Sequence, residues 1–245
     1  MPQTKPIVSI ENVVASATVN QKMDLNEITK KFPDVEYHPE QFPGLVFRIR
    51  SPKTATLIFS SGKMVCTGAK SEAMSRTAVK TVVDKLRKGN VKVKKNAIVT
   101  IQNIVASINL GGRIHLEQAA RTLPRSMYEP EQFPGLIHRM LDPKTVILLF
   151  SSGKLVCTGA KKEPDVYRSV NNLHSLLEEK KINDVRIDAY LIFVPGGTEL
   201  STESQNGLSL SSAANNIAFD STPAIFFGSR FATTITNLPT NSSGS

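Results

Sequence analysis

Hydrophobic and polar residues follow a strand pattern at the start of the chain and a mixed pattern beyond it. Residues 7–17 are rich in β-branched side chains and predict a β-strand. A short helix follows, because Asp24 and Glu27 have the spacing of an N-cap residue and its N3 partner, and Pro33 ends that helix. Four short strands are predicted next, over residues 36–37, 45–50, 55–60 and 63–68.

A longer helix from Ser71 to Lys88, terminated by Gly89, completes this pattern. Its apolar residues recur every four positions and form one stripe, made up of Met74, Ala78, Val82 and Leu86. A helix with a single apolar stripe buries that stripe against one side of a sheet. We therefore expect an antiparallel sheet with its helices on one side.

The other side of this sheet is also apolar. Because side chains of a strand alternate between faces, odd and even positions of residues 57–67 point in opposite directions. The even residues include Ile58, Met64 and Cys66, whose side chains are more flexible or smaller and suit the helix-covered side. The odd residues then face outward, and they are Leu57, Phe59, Lys63, Val65 and Thr67. An exposed apolar sheet face is costly, so we expect something to cover it.

The whole pattern occurs twice, at a fixed offset of 91 residues. Residues 39–45 and 130–136 both read Pro-Glu-Gln-Phe-Pro-Gly-Leu, and 24 of 35 positions agree between 36–70 and 127–161. The helical stripe of the second copy consists of Val166, Val170, Leu173 and Leu177. The predicted fold class is therefore α+β, with two pseudo-symmetric repeats of a curved antiparallel sheet and helices on the convex side.

The chain divides into two repeats, residues 1–95 and 96–184, and a tail of different composition, residues 185–245. In the tail 27 of 61 residues are Ser, Thr, Asn or Gly, which favours a mostly disordered appendage. The tail carries a net charge of −2. Because the formal net charge of the whole chain is +9, residues 1–184 carry +11. That charge points to an anionic partner such as nucleic acid, although it also fits a chain that is merely kept soluble. A joined two-fold surface suits duplex DNA, which is itself nearly two-fold symmetric.

Several classes of protein are excluded by what the sequence lacks. No apolar stretch approaches the ~20 residues of a membrane-spanning helix, and residues 1–20 lack the pattern of a secretory signal. Cys66 and Cys157 form no CxxC pair and occupy equivalent repeat positions, which indicates small core residues. The four histidines lack metal-site spacing, and no nucleophile and base are paired. We therefore expect no metal, no cofactor and no enzymatic activity.

The duplicated motifs resemble those of the TATA-box-binding protein family. They are Asn-(Val/Ile)-Val, Glu-Gln-Phe-Pro-Gly-Leu and Phe-Ser-Ser-Gly-Lys-(Met/Leu)-Val-Cys-Thr-Gly-Ala-Lys. The resemblance covers about residues 6–183, and the direct start at the core resembles archaeal members more than eukaryotic ones. It implies a saddle whose concave face binds the minor groove of A·T-rich promoter DNA, and it implies a general transcription initiation factor.

The resemblance also implies roles for individual residues. Intercalation between base steps is assigned to Phe42, Phe59, Phe133 and Phe150. Minor-groove contacts are assigned to Asn12, Val14, Leu57, Val65, Thr67, Asn103, Val105, Leu148, Val156 and Thr158. Phosphate contacts are assigned to Arg48, Lys63, Arg139 and Lys154. An acidic loop that docks transcription factor B is assigned to Glu129 and Glu131.

The expected partners are double-stranded DNA, transcription factor B and RNA polymerase, with no membrane involved. A homodimer that covers the apolar face in the absence of DNA is left open. An archaeal-type protein would work in the cytoplasm at the nucleoid, and a eukaryotic one in the nucleus.

Simpler interpretations compete with these assignments. The phenylalanines could be core aromatics, the asparagines edge or bulge residues, and each basic residue a solvated surface charge. Two other functions are an enzyme that uses such halves as accessory domains, and a TATA-binding-protein-like regulator that acts mainly through protein contacts. The lack of an acidic cluster argues against the enzyme. The presence of all four phenylalanines and both asparagines argues against the regulator.

Overall fold

The computed structural model of the protein describes residues 7–182. The first copy forms a long strand, a short helix, three strands and a long helix. These elements are β1 (Ile7–Thr18), α1 (Leu25–Lys31), β2 (Gly44–Arg50), β3 (Lys53–Phe59), β4 (Lys63–Ala69) and α2 (Glu72–Lys88). The second copy repeats this order and adds one short strand. Its elements are β5 (Ile98–Asn109), α3 (Leu116–Thr122), β6 (Ser126–Met127), β7 (Leu136–Arg139), β8 (Val146–Leu149), β9 (Lys154–Ala160) and α4 (Glu163–Glu179).

All of these strands join one curved antiparallel sheet in the order β2-β3-β4-β1-β5-β9-β8-β7-β6. The two long strands β1 and β5 lie side by side at its centre, where Val14 pairs with Asn103. Because β1 and β5 are equivalent strands that run antiparallel, a pseudo-two-fold axis passes through this central seam. The predicted α+β fold class with two pseudo-symmetric repeats is confirmed.

Local capping explains where the helices of the first copy begin and end. Asp24 accepts hydrogen bonds from the backbone N–H groups two and three positions later, at 2.9 and 3.1 Å, as predicted for an N-cap. Ser71 accepts one from the N–H of Met74 at 3.0 Å, and α2 ends at Gly89 as predicted. The long helix therefore carries its start and stop signals in its own sequence.

The helices cover one side of the sheet. Helix α2 buries Ser75, Ala78, Val79, Val82, Val83 and Leu86. These residues share a core cluster with Ile58, Met64 and Cys66, which confirms that the even residues of 57–67 face the helices. Met74 was also predicted for the stripe, but it is only partly buried and packs against the core of the second copy. The predicted stripe of α4 is fully buried in that second core.

One predicted strand is wrong. Residues 36–37 form no strand, because Glu36 makes a single isolated bridge to Val46 and no second pair extends it into a ladder. In the second copy the equivalent segment does form a short strand, β6, which pairs with β7. The predicted disordered tail, residues 185–245, lies outside the described residues.

Candidate nucleic-acid interface

The side of the sheet opposite the helices holds all ten residues predicted to line a DNA groove. Residues that pair directly across two strands point to the same side of a sheet, so the strand register settles their placement. The pairs are Leu57 with Val65, Leu148 with Val156, Asn12 with Val105, Val14 with Asn103, Thr67 with Ala55, and Thr158 with Val146. We call the surface formed by the ten predicted residues the groove face.

The two halves of the groove face differ in accessibility. Leu57 and Val65 of the first copy are partly exposed. Their counterparts Leu148 and Val156 are only 7% and 4% exposed, although neither belongs to the described helix-side cores. The register, and not helix packing, therefore assigns these two residues to the groove face.

Near the centre of the groove face, each copy holds an asparagine between a threonine and a glycine. The Asn12 Oδ1 atom accepts the backbone N–H of Gly68 at 2.8 Å, and the same amide is 3.1 to 3.2 Å from the Thr67 hydroxyl. Asn103 repeats the arrangement, with the N–H of Gly159 at 2.7 Å and the equivalent threonine hydroxyl at 3.2 to 3.3 Å. The two amides are therefore held by matching networks on either side of the central seam.

The glycine N–H decides which way each amide points. Gly68 and Gly159 have φ values of +92° and +94° and lie where the strand register shifts at a bulge. A backbone N–H can only donate, so the asparagine oxygen must face it and the NH₂ group must lie on the other branch. One N–H of that group reaches the threonine, and the second makes no hydrogen bond to any residue within 7–182. Gly68 and Gly159 were not among the predicted site residues, although the duplicated Thr-Gly pair marks them.

Two phenylalanine pairs lie in the outer parts of the sheet, one in each copy. The rings of Phe42 and Phe59 meet edge to face with their centroids 5.7 Å apart, and Phe42 is 37% exposed. Phe133 and Phe150 repeat this with centroids 5.8 Å apart. The structure thus brings together the residues that were predicted to intercalate in pairs.

A glycine beneath each pair leaves room for the rings. A Cβ atom on Gly44 would lie 2.5 Å from the Phe42 ring and 3.0 Å from the Phe59 ring. A Cβ atom on Gly135 would lie 2.7 and 3.0 Å from the two rings of the second pair. The separations of 2.5 and 2.7 Å are shorter than real Cβ contacts, so glycine at the end of the duplicated Phe-Pro-Gly motif has a steric cause.

The predicted phosphate contacts differ between the copies at the arginine position. Arg48 donates from Nε and Nη2 to the two carboxylate oxygens of Glu36, at 3.1 and 3.2 Å. These hydrogen bonds lower the pKa of Glu36 and raise the pKa of Arg48. Arg139 cannot make the same pair, since Met127 stands at the position equivalent to Glu36. Arg48 would therefore have to exchange a carboxylate for a phosphate.

The two lysines of the predicted phosphate set are equivalent and exposed. Lys63 begins β4 and Lys154 begins β9, next to the turns that follow Phe59 and Phe150, which are predicted to intercalate. Neither lysine forms an ion pair with another residue of the described chain. Both ammonium groups are therefore available to an anionic partner.

Glu129 and Glu131 lie in the exposed loop between β6 and β7. The Glu129 carbonyl accepts the backbone N–H groups of Gln132 and Phe133 at 3.0 and 2.9 Å, which closes a turn. The loop therefore has a defined backbone and presents two carboxylates close in sequence to the second phenylalanine pair.

Among residues 7–182, no three His, Cys, Asp or Glu side chains gather as a metal site would require. None of the helices in this range is long and apolar enough to cross a membrane. Cys66 and Cys157 are buried free thiols, and burial raises the pKa of both, that of Cys157 to about 12. A thiol with a raised pKa is a poor nucleophile, so these two cysteines act as core residues.

Comparison with known proteins assigns the class that this duplicated fold and its groove face define. The family model described as transcription factor TFIID, or TATA-binding protein, matches residues 7–89 and 98–180. The two matches coincide with the two copies and together span more than half of the chain. The protein is a transcription factor built from two copies of one sheet-and-helix unit. It belongs to the TATA-binding protein family.

Similar proteins come from archaea, in agreement with the resemblance seen in the sequence. The chain is 54% identical over 184 residues to the TATA-box-binding protein of Pyrodictium occultum, which covers 75% of this chain and 92% of the relative. It is 49% identical over 172 residues to that of Methanothermobacter thermautotrophicus, covering 70% and 95%. The solved structure of Methanococcus jannaschii TBP has 44% identity and a TM-score of 0.65, covering 70% of this chain and 98% of that one.

Proposed function

We propose that this protein is a general transcription initiation factor that binds the minor groove of A·T-rich, TATA-box promoter DNA and bends it. The observation that carries the proposal is the position of Asn12 and Asn103. Each amide is held with a spare N–H donor at the centre of an apolar face, between two phenylalanine pairs.

The chemistry of the groove face suits A·T pairs. In the minor groove an A·T pair presents only acceptors, whereas a G·C pair adds the guanine amino donor. The two asparagine N–H donors match the acceptors near the central seam. The apolar side chains around them, such as Leu57 and Val65, offer no partner to a guanine amino group. Burying that donor without an acceptor costs about 1–3 kcal/mol, which disfavours G·C pairs.

The phenylalanine pairs supply the wedges that bending requires. Opening a base step costs about a few kcal/mol, and a bent duplex repays this by contacting more protein surface. The Phe42–Phe59 and Phe133–Phe150 pairs lie on opposite sides of the central seam, so they would open two separate steps. Gly44 and Gly135 leave the space that the rings occupy.

Phosphate contacts would position the protein without reading sequence. Lys63 and Lys154 are free to make them, and Arg139 and Arg48 would add to them, the latter after leaving Glu36. The bent complex would then act as the platform for transcription factor B and RNA polymerase. The exposed carboxylates of Glu129 and Glu131 are the proposed docking point for transcription factor B.

The experiment that tests this function is an electrophoretic mobility shift with the full chain and two duplexes of equal length. One contains a TATA-like element, and the other replaces its A·T pairs with G·C pairs. We expect the TATA-like duplex to bind at least about tenfold more tightly, because each unsuitable pair costs about 1–3 kcal/mol. Equal affinity for the two duplexes would reject the proposed specificity.

A further inference from the structure

The two copies differ in charge at one pair of equivalent positions in the central seam, beside the groove face. Glu11 and Gln102 are 91 residues apart, and each is the unpaired residue of a bulge in the central seam between β1 and β5. Their side chains have the same shape, but one carries a negative charge and the other does not. A face that is otherwise nearly two-fold symmetric is therefore uneven at this position.

Both side chains cross the seam to equivalent serines. The Glu11 Oε1 atom accepts the Ser107 hydroxyl at 2.6 Å, and the Gln102 Nε2 atom donates to the Ser16 hydroxyl at 2.7 Å. Ser16 pairs with Val65 and Ser107 pairs with Val156, so these serines belong to the side of the sheet that carries the groove face. The two bulges thus have matching geometry, and only their charge distinguishes them.

The charge of Glu11 reduces the positive charge that the first copy presents to an anion. The Lys70 Nζ atom donates to Glu11 Oε2 at 2.9 Å, and the Glu11 side chain is only 16% exposed. Burial alone would raise the pKa of Glu11, but hydrogen bonds from Ser107 and Lys70 lower it. Glu11 is therefore a carboxylate at neutral pH, and its charge neutralises that of Lys70.

The second copy has the same lysine without the acid. Lys161 is exposed, stands 91 residues after Lys70, and forms no ion pair with any residue of the described part of the chain. Gln102, which stands where the first copy has Glu11, is neutral. The bulge and its lysine therefore carry no net charge in the first copy and one positive charge in the second.

We propose that Glu11 sets the direction in which this protein lies on an asymmetric A·T-rich duplex, because it neutralises Lys70 while Lys161 stays free to pair with a phosphate. The inference rests on the proposed DNA-binding function and goes beyond it. Two halves of unequal charge bind the two halves of an asymmetric duplex unequally, since groove width and electrostatic potential depend on sequence. A symmetric charge would remove this contribution to the orientation.

The test measures orientation directly. A donor dye is attached through Gln132→Cys in the exposed β6–β7 loop, since Cys66 and Cys157 are buried. An acceptor dye is placed on one end of a duplex with a TpA-rich half and an A-tract half. Single-molecule energy transfer in the bound complex gives the ratio of the two orientations, and the total bound fraction gives affinity independently.

Four proteins form a graded series of charge difference between the copies. Lys70→Gln raises the difference by one unit over the wild type, and Glu11→Gln removes it. The swap Glu11→Gln with Gln102→Glu reverses its sign. We expect the orientation ratio to fall in the order Lys70→Gln, wild type, Glu11→Gln, swap, with steps of about twofold or more, as one exposed charge contact allows. The two single variants change the same ion pair and should move the ratio in opposite directions.

The outcomes separate the inference from the function. A graded series of orientation ratios in this order supports the inference, whatever the accompanying change in total affinity. Tight DNA binding with the same orientation ratio in all four proteins overturns the inference and leaves the proposed function standing. If the wild type does not bind the duplex at all, both the inference and the proposed function are overturned. Thermal unfolding of each variant checks that it is folded. If the orientation ratio moves in the same direction in Lys70→Gln and Glu11→Gln, the inference is also overturned.

Discussion

Glu72 and Glu163 cap each other's helices across the pseudo-two-fold axis. The Glu163 carboxylate accepts the backbone N–H of Glu72 at 2.9 Å, and the Glu72 carboxylate accepts the N–H of Glu163 at 3.0 Å. Both residues are the first of their helices, α2 and α4, where N–H groups lack helical partners and the helix dipole favours a negative charge. This reciprocal contact joins the two copies on the helix side of the sheet.

Replacing Glu72 with Ala should lower the free energy of unfolding by about 0.5–2 kcal/mol, because it leaves one helix start uncapped. Glu163→Ala should cost less, since Ser71 still caps α2 through the N–H of Met74, whereas Lys162 gives α4 no side-chain cap. The double variant should lose less free energy of unfolding than the sum of the two single losses. The reason is that losing one of the two hydrogen bonds loosens the contact between the helix starts that the other one needs. Urea denaturation measures all three, and Glu179→Ala at the exposed end of α4 is the control. Additive losses would show that the two contacts act independently.

Asn12→Asp and Asn103→Asp should each weaken binding to an A·T-rich duplex by about tenfold or more, because a carboxylate accepts but does not donate. The oxygen that bonds the glycine N–H is kept, so the fold should be retained. Asn109→Asp is a matched control, since Asn109 also accepts a glycine N–H, that of Gly111, at 2.9 Å and is exposed. An equal loss from the control would assign the effect to charge alone.

Phe133→Ala combined with Phe150→Ala should reduce DNA bending, because the second wedge is removed. Energy transfer between dyes on the two DNA ends measures the bend at saturating protein. Phe32→Ala is the control, since Phe32 packs edge to face on Phe47 in the helix-side core and not on the groove face. Unchanged bending in the double variant would refute the wedge role.

Stability should fall as the pH decreases below about 6.5, the ordinary pKa of histidine, because of His138. Burial lowers the pKa of His138, whose ring stands where the first copy has Phe47 and bonds Ser126 at 3.0 Å. In the unfolded chain His138 takes up a proton near pH 6.5, whereas in the folded chain it stays neutral to lower pH. The free energy of unfolding is therefore highest above this pH and decreases as the pH falls. His138→Phe should flatten the urea-denaturation profile over this range. An equally steep profile in that variant would assign the acid sensitivity to other groups.

The sequence predicts the repeat and the strand alternation, because these follow from periodicity and a fixed offset, while the ten groove-face residues were assigned from the family resemblance. It does not predict the contacts between distant positions. The Arg48–Glu36 pair, the Gly68 N–H that orients Asn12, and the reciprocal caps of α2 and α4 all depend on how separate segments meet. The first two change a role that the motif alone assigns, since they decide which charge or which N–H donor is free.

The direct test of the central claim uses inosine. An I·C pair presents the major-groove edge of G·C but lacks the amino group that marks G·C in the minor groove. Affinity is measured for three duplexes that carry the same element with A·T, I·C or G·C pairs. If the groove face reads the minor groove, the I·C duplex should bind nearly as well as the A·T duplex, and the G·C duplex at least about tenfold more weakly. Binding of the I·C duplex as weak as that of the G·C duplex would contradict it.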